Sequence, residues 1–309
     1  MFSPLRHTSG GWFTFVLCSV VVVFAIPANA ARALPKCCVW RVTNAKVSFY
    51  LVGSVHALGE DDYPLPAPYE IALRDAKRFL FEFDPTRYAE FEKKLNAVAR
   101  YRHGEDIRSK IDPKLFAWLQ QNISTVNSDA RRGKKSQATG FDSGLGYKPW
   151  WIAQHLVDKN AYSNVSASRG LDDYFLGRAQ RLGREIGGLE SVDEHVAVLG
   201  GLSDRDGEII LRDALAPQKN GAAQLARMRR AWRKGDTATL GASDTRFRKE
   251  APWIAARFVD DRNRKWVERI EAELKSGKPT AIVAGALHFS GPNSIVRLLE
   301  KRGYTIEQL

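Results

Sequence analysis

The feature that most restricts this chain is a string that occurs twice, near opposite ends: Gly53-Ser54-Val55-His56 and Gly285-Ala286-Leu287-His288. Each follows a short apolar run, Phe49-Tyr50-Leu51-Val52 in the first case and Ala281-Ile282-Val283-Ala284 in the second. Such runs predict buried strands, and the glycine lets backbone come close where each histidine leaves its strand. In α/β sheets the carboxyl ends of strands are where sites form. If the two histidines meet, their strands must be neighbours in one sheet.

The residues between them alternate strand-like and helix-like patterns. Val39–Val47 and Val47–Val52 predict two strands with a turn near Asn44-Ala45, and Phe79-Leu80-Phe81-Glu82-Phe83-Asp84 predicts another, ended by Pro85. Glu82 stands out there, since an acid in an apolar strand costs free energy unless it is paired or binds a metal. Ile186-Gly187-Gly188-Leu189-Glu190 predicts a short strand with an acid at its end. Helical spacing is expected over Tyr69–Lys77, within Tyr88–Leu119, from Trp150, from Gly170 through Leu182, and over Val192–Leu199, Glu208–Leu215 and Ala222–Arg233. A long helix over Arg257–Leu274 carries Arg262 and Asn263, and a last helix and strand are expected over Asn293–Lys301 and Tyr304–Glu307. Strands separated by helices imply an α/β fold with a mixed, partly parallel central sheet flanked by helices. The repeated string, strand then Gly-x-x-His, hints at two related halves.

The amino-terminal residues differ from the rest. Arg6 and His7 precede an apolar run from Trp12 to Ile26, then Pro27 and the A-x-A pattern Ala28-Asn29-Ala30. This reads as a secretory signal peptide over residues 1–30, leaving one domain over 31–309; the apolar run falls short of the ~20 residues of a membrane span. No later segment reads as transmembrane, so the expected destination is periplasmic or secreted. The polar stretch over residues 122–143 reads as a loop or insertion.

The formal net charge is +12, and removing residues 1–30 takes away only Arg6. In an exported chain that surplus fits an anionic envelope surface better than nucleic acid, and neither Arg131-Arg132-Gly133-Lys134-Lys135 nor the cluster Arg227, Arg229, Arg230, Arg233 and Lys234 has the interleaved aromatics of a single-strand binder. The simpler alternative is solvated helix faces. Beyond residue 30 only the adjacent Cys37 and Cys38 remain, too few for a thiolate metal site.

Taken in order, several strings together resemble a known family. They are Tyr50-Leu51-Val52-Gly53-Ser54-Val55-His56, Tyr63-Pro64-Leu65-Pro66, Phe81-Glu82-Phe83-Asp84, Gly170-Leu171-Asp172-Asp173-Tyr174, Gly188-Leu189-Glu190, Trp232-Arg233-Lys234-Gly235-Asp236, Asp261-Arg262-Asn263, and Gly285-Ala286-Leu287-His288 with Gly291-Pro292. The chain resembles the TraB/GumN family, relatives of the Tiki metalloproteases, over almost all of its length after residue 30. This sequence has His195 where the family pattern usually has Gln, and Asp261 where it often has Glu.

A hydrolytic metal centre needs a few nitrogen or oxygen donors, an open position for water, and a group that moves protons. His56, Glu82 and His288 meet the donor requirement. Two imidazoles and a carboxylate suit Zn²⁺, Mn²⁺, Co²⁺ or Fe²⁺ alike, and the resemblance favours manganese or cobalt. Glu190 is the candidate for an additional ligand or general base, Arg262 for stabilising an oxyanion, and Asn263 for orienting one of these groups. The bland alternatives are that Glu82 is a salt-bridge partner and that Glu190 and Arg262 pair with each other. His103, His155 and His195 read as surface or packing residues. The expected activity is a metal-dependent hydrolase, a peptidase acting on peptide or protein; the competing reading is a non-catalytic envelope binding or scaffold protein of the same fold.

Overall fold

The computed structural model describes residues 36–56, 58–122, 144–161, 170–215, 221–243 and 245–309. The expected signal peptide and positions 123–143 of the expected polar loop lie outside the described residues. In chain order the elements open with strands β1 (Val39–Val42) and β2 (Phe49–Ser54), helix α1 (Ala67–Asp75), strand β3 (Arg78–Phe83), and helices α2 (Tyr88–Ala99), α3 (Pro113–Asn122), α4 (Pro149–Ala161) and α5 (Leu171–Arg181). Strand β4 (Glu185–Glu190) follows, then helices α6 (Val192–Gly200), α7 (Asp204–Leu215), α8 (Gly221–Arg233), α9 (Thr237–Ser243), α10 (Thr245–Glu250) and α11 (Pro252–Ala255). A π-helical segment, Ala256–Asp260, leads into α12 (Asp261–Ser276), and β5 (Thr280–Gly285), α13 (Ile295–Glu300) and β6 (Ile306–Gln308) close the chain. No helix among the described residues is long and apolar enough to cross a membrane.

The six strands form one sheet in the order β4-β3-β5-β2-β1-β6. The first four run parallel, while β1 is antiparallel to both β2 and β6. The mixed, partly parallel α/β fold expected from the sequence is therefore the fold observed. β2 and β5 occupy the middle and are buried along nearly their whole length, as continuous apolar runs in parallel sheets require. They are direct neighbours, with Leu51 opposite Ile282 and Ser54 opposite Gly285. The juxtaposition that a shared histidine site demands is thus met. The two strings do not end equivalently, however: the chain after β2 runs out to an exposed His56, whereas a 3₁₀ turn over Ala286–Phe289 takes His288 into the interior.

Helices cover both faces of the sheet, and a large core cluster joins Phe79, Tyr69, Phe175 and Trp232 to Trp266, Val267, Ile270 and Leu274 of α12. A second cluster, under α3, α4 and α7, packs Leu115, Leu119, Trp150, Trp151, Leu211 and Ile254. Two local devices set the site. Ser191 and Glu194 form a reciprocal capping box that starts α6 immediately after β4 and so fixes the direction in which the chain leaves Glu190. The single helix expected over Arg257–Leu274 is instead a π-helical turn followed by α12; buried Asp260 in that turn accepts from Arg248 of α10 at 2.9 Å. Helices α9 to α11 have no clear apolar period and escape the sequence reading.

Candidate functional site

The parallel strands place one chemical group each at the same edge of the sheet. Across it, in the order β4, β3, β5, β2, stand Glu190, Glu82, His288 and His56. Four residues far apart in sequence are thereby gathered by topology, at the edge where parallel strands present their carboxyl ends.

Arg262, on the first turn of α12, reaches into the centre of this row. Its Nη2 donates to Glu82 Oε2 at 2.6 Å and to Glu190 Oε1 at 2.7 Å, and its Nε donates to Glu190 Oε2 at 3.2 Å. Nη1 donates to Phe258 O at 3.2 Å, a carbonyl within the π-helical segment. The guanidinium lies 4.3 Å above the Trp266 ring, one helical turn further on. The side chains of Arg262, Glu190 and Glu82 are only 10, 6 and 16% exposed, so this is a buried ion cluster.

Glu190 is fully subscribed. Besides Arg262 it accepts from Trp266 Nε1 at 3.0 Å, and its Oε1 lies 2.5 Å from His195 Nδ1. Four donors on two oxygens use the capacity of a carboxylate. Burial works to raise its pKa, and the bonds from His195 and Arg262 overcome that and hold it below the usual range. Glu82 obeys the same logic: burial opposes its charge, but Arg262 and the nearby His288, His195 and His56 keep its carboxyl well below the usual range. Its Oε1 accepts from the Gly285 N–H at 2.9 Å. The glycine has a reason here, since a Cβ at 285 would lie 3.3 Å from that oxygen and 3.7 Å from His288 Cδ2.

His288 is oriented by Asn263. The Asn263 Nδ2 donates to His288 O at 3.2 Å and to Asn293 O at 2.9 Å, so its Oδ1 must be the atom facing His288 Nδ1 at 2.6 Å. Nδ1 therefore carries the proton and Nε2 carries the lone pair, 3.7 Å from Glu82 Oε1 and 3.4 Å from Arg262 Nη1. Burial, opposed by Glu82 and assisted by Arg262, pushes the His288 pKa down to about 4, so the ring is neutral at pH 7.

His56 stands apart from this buried group. Its ring is 74% exposed, and Nδ1 lies 3.2 Å from Asp172 Oδ2 at the start of α5. It remains close enough for its charge to act on both Glu82 and His288. Helix α8 holds the chain on both sides of it: Trp232 Nε1 donates to Gly53 O of β2 at 2.8 Å, while in the loop beyond, Arg229 Nε donates to buried Asp62 at 2.8 Å and Arg233 to Asp62 O and Pro64 O at 2.6 and 3.1 Å. Two of the five clustered cations, Arg229 and Arg233, are thus engaged with this loop.

Of the candidates drawn from the sequence, Glu82, Glu190, Arg262, Asn263 and His288 come together in direct contact, and His56 lies at the adjacent strand end. The expectation that His195 is a plain packing residue is half right: its ring stacks on Phe83 at 4.5 Å and meets Phe91 at 5.1 Å, while Nδ1 contacts Glu190. Trp266 is a member that the sequence reading misses. The signals were present, since His195 falls on the first turn of α6 after Glu190 and Trp266 lies four residues after Arg262. His103 and His155 take no part; His155 stacks on Trp151 in the second core cluster at 3.5 Å. Cys37 and Cys38 are free, buried thiols whose pKa values burial raises, the first to about 12.

Neither curated proteins nor solved structures give a significant match to the chain. One family model does match, described as the TraB/PrgY/gumN family and covering residues 38–308, which include every residue of the site. The chain belongs to the TraB/PrgY/gumN family.

Proposed function

We propose that the protein is an exported, metal-dependent hydrolase acting on peptide bonds, with His288, Glu82 and His56 as ligands of one divalent cation, Mn²⁺, Co²⁺, Zn²⁺ or Fe²⁺. The observation that carries this reading is a charge imbalance beside a nitrogen–oxygen donor pair, whose nitrogen accepts a long bond from Arg262 Nη1 at 3.4 Å and whose oxygen accepts from the Gly285 N–H. Glu82, Glu190 and Arg262 sum to −1 in a buried setting, and the lone pair of neutral His288 Nε2 stands 3.7 Å from Glu82 Oε1. An uncompensated buried charge is costly, and a cation is the partner that offsets it. The Asn263–His288 hydrogen bond is the kind of outer support that fixes a ligating imidazole.

The donor set fits a metal in two of its three members. Among the described residues no group of three or more His, Cys, Asp or Glu stands close enough to hold an ion, and the His56 ring faces Asp172. Completing the set requires His56 to exchange Asp172 for the metal. When bound, the metal supplies a Lewis acid and a water of lowered pKa. Arg262, held in place by Glu190, is the donor available for a developing oxyanion. Glu190 serves as the anchor of Arg262 and His195 rather than as the base, since its acceptor sites are filled.

The second reading, a binding or scaffold protein, is favoured by one feature: Arg262 already closes the two carboxylates into an internal ion cluster. The basic surplus also supports a role at an anionic envelope surface, whose binding weakens as salt is added. Incubating the mature chain with a reduced, unfolded protein and each of the four metals separates these readings, with new peptide termini scored by mass spectrometry. Cleavage that disappears in His56→Ala, Glu82→Gln and His288→Ala, each folded by circular dichroism, supports the hydrolase. Undiminished cleavage in all three variants refutes this site.

A further inference from the structure

We propose that the free edge of β4 is a docking rail for an extended peptide, which adds to the sheet as a seventh strand and runs past the acidic end of the row of site residues. The inference rests on the peptidase reading above and names how its substrate is held. Among the described residues β4 is the terminal strand of the sheet and pairs only with β3. The Glu185 N–H donates to Lys77 O at 3.1 Å, so Glu185 and Gly187 aim their backbone groups at β3. By the alternation of a strand, Ile186 and Gly188 aim theirs outward. Neither has a hydrogen-bond partner among the described residues, and both are partly open to solvent.

A free edge is a hazard that proteins ordinarily blunt with lysine, proline or a bulge. None of these occurs in Glu185-Ile186-Gly187-Gly188-Leu189-Glu190. Gly188 is demanded from inside, where a Cβ would fall 2.4 Å from Asp84 N, and a Cβ at Gly187 would press on the Leu80 side chain at 3.0 Å. Their consequence outside is an edge with little side-chain cover. The rail also ends at the right place. Glu190, the last residue of β4, contacts Arg262, which contacts Glu82 on the neighbouring strand, so a chain laid along this edge arrives beside the buried cluster. Main-chain pairing holds an extended chain whatever its side chains, which suits a substrate of peptide class.

The test uses the ¹⁵N-labelled mature chain and a degenerate decapeptide library, acetylated and amidated at its ends and free of proline and cysteine. Hydrogen exchange at the Ile186 and Gly188 amides is followed, with library cleavage scored in parallel. The expected result is at least tenfold slower exchange at both amides with library present. That protection is absent with a library N-methylated at alternate residues, and in Ile186→Pro, which removes one outward N–H and no ladder bond. Unchanged exchange at both amides overturns the rail. So does protection that is already present without peptide and grows with protein concentration, which would assign the edge to a second copy. Cleavage with unprotected edge amides refutes the rail and leaves the peptidase reading intact, whereas edge protection without cleavage in any metal supports the rail and refutes the peptidase reading.

Discussion

Replacing Arg262 with methionine is the most informative stability experiment on the buried cluster. The variant keeps much of the apolar stem but strips Glu82 and Glu190 of their shared cation and removes the guanidinium that lies over Trp266. Glu190 retains Trp266 and His195, and Glu82 retains the Gly285 N–H, so the carboxylates stay hydrogen-bonded but carry two buried negative charges. Breaking a buried pair in this way costs about 3–5 kcal/mol. The cost should depend on pH with a definite sign. In the wild type both carboxyls sit below their usual range, so the cluster stabilises the fold at pH 7 and loses that contribution only in acid. In Arg262→Met the folded-state pKa values rise above those of the unfolded chain, so the folded state binds the extra proton and stability falls as pH rises. Between pH 7.5 and pH 5.5 the penalty should shrink by up to about 1.4 kcal/mol per pH unit for one protonating carboxyl. Guanidinium unfolding of the metal-free protein, followed by tryptophan fluorescence at those two pH values, measures it. A penalty below about 1 kcal/mol that is equal at both would show that Arg262 does not neutralise the carboxylates.

Three further outcomes rest on named contacts. The neutral, buried His288 should make the metal-free protein lose stability as pH falls from about 6.5 toward about 4, by up to about 3 kcal/mol, because the unfolded chain takes the proton first; His288→Asn should flatten that part of the profile. Arg229→Leu leaves buried Asp62 without its cation and should cost about 3 kcal/mol while opening the loop after His56 to limited proteolysis; a protease-resistant loop would refute the tether. Cys37 and Cys38 should resist a thiol reagent in the native protein and react only on unfolding; fast modification at pH 8 would contradict their burial.

A site residue is readable from the sequence when the signal that marks it is local. The strands before His56 and His288 announce themselves as apolar runs, and Glu82 and Glu190 as acids inside or ending such runs. That local grammar, with an α/β pattern, is enough to place four groups at one sheet edge. The strand order is not local: only the finished sheet shows that β3 and β5 lie between β4 and β2 and so set Glu190, Glu82, His288 and His56 in a row. His195 and Trp266 escape because a histidine or tryptophan on an amphipathic helix looks the same whether it packs in the core or grips a carboxylate. The contrast between the histidines is equally hidden. Both come after a strand and a glycine, but a 3₁₀ turn buries one, and the other, before a loop held by Arg229 and Arg233, stays exposed.

The metal is the central claim, and elemental analysis tests it without knowledge of the substrate. The protein is purified in trace-metal buffer, dialysed against each divalent ion, and measured alongside His288→Ala, Glu82→Gln and His56→Ala. One tightly held equivalent per chain, lost in His288→Ala and Glu82→Gln and weakened in His56→Ala, is the predicted result. Full retention of the metal in all three variants, or its absence from the wild type with every ion, would contradict the account.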